Sequence, residues 1–143
     1  MREFRPGADS AHGREEELQW ARLLSMGDAA CGVALVFVQK LCTAFHEFAP
    51  AWEQGALSAG HLAYFRGRLA GRAVRALATL RNNGLGAIDG AAQLEAMVGA
   101  IEAAATMEEL AALAEAVHAL GHTLSEALER EAAARSGRVP AGP

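Results

Sequence analysis

Apolar residues dominate one stretch of the chain, DAACGVALVFVQKLCTAFHEF, which spans residues 28–48. At helical spacing, one seam of this stretch contains Cys31, Leu35, Val38, Cys42 and Phe45. Most of the remaining circumference is apolar too, with Val33, Val36, Phe37, Leu41 and Phe48. The pattern continues for about twenty residues, which is too long for a strand. It predicts a central helix that ends before Pro50 and is buried on several sides.

Weaker apolar periodicity and terminal signals predict four more helices around the central one. One spans residues 14–26 and opens with three glutamates. Ser58 begins another, which stops at Gly84, and Asp89 caps a short helix that carries Leu94 and Ile101. A capping box at Thr106 begins the last helix, predicted to run unbroken to about Ala134.

These elements predict an all-α, single-domain, antiparallel bundle of four to five helices over residues 14–134. Residues 1–13 and 135–143 are predicted to be a disordered arm and tail. The glycines Gly67 and Gly71 lie one turn apart on the helix that begins at Ser58, and we expect them to allow a close helix crossing. A bulky side chain at Gly71 would then destabilise the fold.

Composition and charge narrow the classes of function. The 143 residues carry a formal net charge of -4, which disfavours a dedicated nucleic-acid binder. The apolar run that ends at Val38 is about half the length that a membrane span needs, so a soluble core helix is expected. Cys31 and Cys42 are about 16 Å apart along one helix, beyond disulfide reach. Free buried thiols and a cytoplasmic location are therefore expected.

Charged residues are segregated along the chain. Residues 58–83 contain five arginines and no acid, whereas residues 84–129 contain eight acids and no Lys or Arg. Arg68, Arg72 and Arg75 share one helical stripe next to Tyr64. The stripe has two interpretations. It pairs with acidic helices of the same bundle or of a partner subunit, or it contacts nucleic-acid phosphates while Tyr64 stacks on a base.

A possible metal site lies in the last predicted helix. Glu115, His118 and His122 have the spacing Glu-x-x-His-x-x-x-His, which places three ligand types on one helical face. That face lies opposite the apolar seam, where a charged stripe is ordinarily just solvated. A divalent metal there would take a further ligand from solvent, a neighbouring chain, or His46, Glu47 or His61.

No motif in the sequence indicates catalysis. The only thiols are expected in the core, and Ser58 is expected to cap a helix. The sequence therefore predicts a non-catalytic helical interaction or regulatory module that forms a homodimer or binds another protein, with no membrane and no cofactor. The alternatives are a metal- or small-cofactor-binding bundle and, third, a nucleic-acid accessory protein.

Overall fold

The chain folds into α-helices joined by short turns in a computed structural model that describes residues 28–137. The helices are α1 (Ala29–Glu53), α2 (Leu62–Asn82), α3 (Ala91–Ala103), α4 (Met107–Ala111) and α5 (Ala114–Arg135), with a 3-10 turn at Ala59–His61. No strand occurs within this range, so the predicted all-α class is confirmed. The predictions for residues 1–27 and for the tail after residue 137 lie outside the described residues.

The central helix, α1, begins where the sequence predicts and ends later. Asp28 has an extended backbone, and its carboxylate accepts a 2.9 Å hydrogen bond from the Cys31 N–H. This is the geometry of an N-cap. The predicted end before Pro50 is wrong, because α1 continues through this proline to Glu53. The additional turn places half-buried Trp52 against the core.

Two helices, α2 and α5, cover two sides of α1, and the short α4 adds a smaller contact. Helix α1 makes its most extensive contacts with α5 and with α2, while α3 packs mainly on α2. Leu35, Val38 and Phe45 of α1 are almost completely buried. The third side of α1 is more open than predicted, and Val33 is 41% exposed there. Among the described helices, α1 alone is long and apolar enough to cross a membrane, and a buried core helix passes the same test.

Both ends of α2 use predicted signals. Ser58 precedes the 3-10 turn, where its backbone N–H donates to His61 Nδ1 at 3.2 Å. Gly84 follows α2 with a φ of +70°, as expected for a helix C-terminus. The predicted cap at Asp89 is wrong. Gly90, at φ +97°, precedes α3, and Asp89 instead pairs with Arg130 at 3.1 Å.

The predicted continuous last helix is also wrong. It breaks at Ala112 and Leu113 into α4 and α5, although neither residue is a glycine or a proline. The capping box forms, since the Glu109 N–H donates to Thr106 Oγ1 at 3.0 Å. Separating the two helices lets each bury its own apolar side chains, Met107 on α4 and Leu124 on α5 among them.

A close helix approach exists, but not at the predicted glycines. A Cβ built on Gly67 or Gly71 would meet no described atom within 4 Å, so these two residues make no crossing between the helices of residues 28–137. The approach is at Gly121 of α5, which is buried against the side chain of Cys42 on α1. The glycine that allows two helices to pack closely is therefore Gly121 on α5, and not a glycine of α2.

Candidate functional site: a basic groove between α1 and α2

A groove of about 550 Å³ runs along the surface between α1 and α2. We call it the basic groove. It contains the predicted arginine stripe, and α1 contributes two residues that the sequence did not link to that stripe. Its described lining residues are Phe37, Lys40, Tyr64, Gly67, Arg68, Gly71, Arg72 and Arg75.

Within residues 28–137, the cations of the groove form no ion pair with an acidic side chain. Within residues 28–137, the ion pairs of α2 and α1 involve other residues: Arg81 pairs with Glu95 at 3.2 Å, and Asp28 pairs with Arg135 at 3.9 Å. Among the described residues, Arg68, Arg72 and Arg75 are therefore not paired with the acidic helices of the same bundle. Together with Lys40, they place four positive charges on one surface of the described part of the chain.

Apolar surface accompanies these charges. Val33, Tyr64 and Val74 are the three large hydrophobic side chains that are exposed in the described part of the chain, and all belong to α1 or α2. Tyr64 is 62% exposed, and its ring meets that of Phe65 edge-on at 4.9 Å between centroids. Across the groove, Lys40 Nζ lies 5.8 Å from the centre of the Phe37 ring.

The glycines leave room in this surface. Gly67 and Gly71 lie one turn apart in the lining, and no atom of the described residues lies within 4 Å of where their Cβ atoms would be. An elongated ligand can therefore approach the backbone of α2 closely. Together, the lining offers positive charge, two aromatic rings and a shallow floor, and these features suit binding of an acidic partner.

The predicted metal residues lie on α5, away from the basic groove. Glu115, His118 and His122 are all exposed, and the two histidine rings stand edge-on with centroids 4.8 Å apart. No group of three or more His, Cys, Asp or Glu able to hold a metal occurs in residues 28–137. His61 lies against Ser58 and Phe65, whereas His46 and Glu47 are exposed. Metal binding stays a prediction.

A second, smaller depression of about 240 Å³ lies between α1 and α5. His118 and His122 line it with Glu126 and Glu129, which the sequence analysis did not include in the site. The sequence contains a signal for the two glutamates. His122, Glu126 and Glu129 are spaced four and then three residues apart, so they fall on one helical face. Gln39 and Cys42 form its α1 side.

Both cysteines are free thiols, as predicted. Cys31 is completely buried, and the half-buried Cys42 donates a weak hydrogen bond to the Val117 carbonyl at 3.8 Å. Burial away from water raises the pKa of each thiol to about 11, and Asp28 contributes to the shift at Cys31. The thiolate is the nucleophilic form of cysteine, so neither side chain is activated for catalysis.

Comparison with known proteins identifies no family for this chain. The chain matches no protein-family model, no curated protein and no solved structure.

Proposed function

We propose that this protein is a non-catalytic interaction or regulatory module that acts through helix-helix contacts as a homodimer. The observation that carries the proposal is the exposed surface of α1 and α2, where Val33, Tyr64 and Val74 accompany the basic groove. The groove lining combines the aromatic rings of Phe37 and Tyr64 with three arginines, and aromatic residues and arginine are enriched at protein interfaces.

The lining of the basic groove supports binding rather than catalysis. Its described residues supply arginine and lysine cations, aromatic rings and glycines, but no carboxylate, thiol or imidazole for proton transfer at neutral pH. The two cysteines, which form no disulfide with each other, support a reducing compartment, and we place the protein in the cytoplasm.

Light scattering and sedimentation of the purified full chain, up to high micromolar concentration, test the proposal. We expect a dimer whose dissociation constant rises about tenfold or more in Tyr64→Ala, because exposed aromatic residues are enriched among interface anchors. The matched control is Gln93→Ala, at an exposed position of α3. A monomer throughout the concentration range would contradict the homodimer.

A second candidate function, a nucleic-acid accessory protein, is favoured by the same unpaired cations. Arg68, Arg72 and Arg75 recur along one side of α2, and exposed Tyr64 offers a stacking surface. Binding of a fluorescent single-stranded oligonucleotide at low salt, compared between the wild type and the double substitution Arg68→Glu, Arg72→Glu, tests it. Equal or undetectable binding would eliminate this candidate.

A further inference from the structure

We propose that the basic groove of one molecule binds the acidic face of α5 in a second copy of the same chain, and that a two-fold axis parallel to α1 creates this contact twice. We define the acidic face as the exposed residues Glu115, His118, His122 and Glu126. The inference rests on the proposed homodimer and identifies its interface.

Charge is the first argument for a second copy as the occupant. The basic groove contributes four cations without a described acidic partner. On α5, neither Glu115 nor Glu126 forms an ion pair within residues 28–137. Within residues 28–137, each molecule therefore carries two surfaces of opposite charge that form no ion pair with each other. Complementary surfaces of this kind favour association and determine its orientation.

The position of α1 between these surfaces is the second argument. The basic groove lies along the α2 side of α1, and the depression beside His122 and Glu126 lies along its α5 side. Both surfaces therefore border the same helix. The adjacent helices α2, α1 and α5 form a face about 20 Å wide, because neighbouring helix axes are about 8–10 Å apart.

Symmetry then selects one arrangement. In a two-fold dimer the same patch is used by both subunits. Rotation about an axis parallel to α1 exchanges its two sides, so the basic groove of each subunit meets the acidic face of the other. Rotation about an axis perpendicular to α1, within the face, would place one basic groove against the other. Repulsion among Arg68, Arg72 and Arg75 of the two facing α2 helices disfavours that alternative.

The exposed side of α1 supplies the centre of this interface. Val33 is 41% exposed there, and Val36 is half-buried. A two-fold axis parallel to α1 leaves positions along the helix unchanged. Each of these side chains therefore faces the same residue of the partner subunit. An apolar centre with charged residues on both flanks is the usual anatomy of a specific interface.

Charge exchange between full-length variants tests the inference. The first variant is Arg68→Glu with Arg72→Glu, and the second is Glu115→Arg with Glu126→Arg. Alone, each variant would place like charges together in both contacts, so we expect its dimer dissociation constant to rise about a hundredfold. Mixed together, the two variants restore opposite charges in both contacts, and we expect a heterodimer with nearly the wild-type dissociation constant.

Native mass spectrometry and sedimentation measure these species, and circular dichroism verifies that each variant is folded. The control is Glu102→Arg, which reverses an exposed acid near the end of α3 and should leave the dimer unchanged. A wild-type monomer would overturn both the homodimer and this interface. A wild-type dimer that tolerates both variants would overturn the interface alone.

Two further outcomes also overturn the inference. One is a mixture that remains monomeric while each variant is folded, because the reversed charges then do not meet. The other is oligonucleotide binding that depends on Arg68 and Arg72 and leaves the dimer intact, which would assign the basic groove to nucleic acid.

Discussion

Gly121 of α5 lies so close to Cys42 of α1 that a side chain on Gly121 would have to displace the Cys42 sulfur. A Cβ at this position would overlap the Cys42 sulfur. One turn earlier on α5, the Val117 carbonyl accepts the thiol of the same cysteine at 3.8 Å. The contact between the two most extensively packed helices is therefore centred on one glycine and one cysteine.

We expect Gly121→Ala to lower the free energy of unfolding by about 1–3 kcal/mol, the usual effect of an additional methyl in a packed core. Urea denaturation measures this change. Gly67→Ala is the matched control, because its new methyl meets no described atom and alanine is a better helix former by about 0.5–1 kcal/mol. The close approach would be contradicted if both variants were equally stable. In a Cys42→Ala background, Gly121→Ala should cost less.

Gly71→Leu should leave the fold intact, contrary to the expectation from the sequence. Its side chain would extend into the basic groove, where no described atom lies within 4 Å of the new Cβ. Thermal melts should therefore show no loss of stability relative to wild type. A marked decrease in melting temperature would indicate that α2 packs more tightly at Gly71 than the structure shows.

Asp28 should stabilise the start of α1 in a pH-dependent manner. Its hydrogen bond from the Cys31 N–H, with help from Arg135, holds the pKa of Asp28 below its usual value. The folded pKa is thus the lower one, so the stabilisation is complete above the unfolded pKa of about 3.9 and is lost as pH falls through the folded value. We expect Asp28→Ala to cost about 1 kcal/mol at neutral pH.

Urea denaturation over a range of acidic pH checks this prediction, and the gap between wild type and Asp28→Ala should narrow as the pH falls. Asp28→Asn is the control, since its amide oxygen still caps the helix without a charge. A gap that is independent of pH would show that the charge of Asp28 contributes nothing.

Arg135 should contribute more to stability than Arg130. Its guanidinium donates to the carbonyls of Asn83 and Gly84 at 3.1 and 3.3 Å, and to Glu131 at 3.1 Å. We expect Arg135→Ala to cost about 1–2 kcal/mol because several hydrogen bonds are lost together. Arg130→Ala removes one exposed pair with Asp89 and should cost at most about 0.5 kcal/mol. Equal losses in urea denaturation would contradict the assigned role of Arg135.

Thiol labelling should follow the raised pKa values of both cysteines. Because burial raises the pKa of Cys42 to about 11, its labelling rate should increase about tenfold per pH unit beyond the ordinary thiol pKa of about 8.5. Mass spectrometry after timed alkylation distinguishes Cys42 from fully buried Cys31, which should react more slowly. A rate that levels off near pH 8.5 would show an unshifted thiol.

The raised pKa values of the two thiols also make stability depend on pH. A folded pKa above the unfolded value means that the thiols stabilise the fold fully below about pH 8.5, and that this contribution is lost as the pH rises toward 11. Cys42→Ala, which removes the half-buried thiol, is the control for the labelling rates and for the pH dependence of stability.

The sequence by itself determined the features that depend on near neighbours in the chain. The cap at Asp28, the left-handed Gly84 and the capping box at Thr106 each involve residues within about four positions. Helical periodicity likewise determined the all-α class and most of the buried faces. These features follow from hydrogen bonding and burial on a single helix.

Only the tertiary structure decided which helix faces which. It joined Lys40 and Phe37 to the arginine stripe, left Val33 exposed, and placed the close approach at Gly121 instead of Gly71. The break after α4 has no glycine or proline to mark it. These outcomes depend on how the side chains of separate helices fill shared volume, and no single helix contains that information.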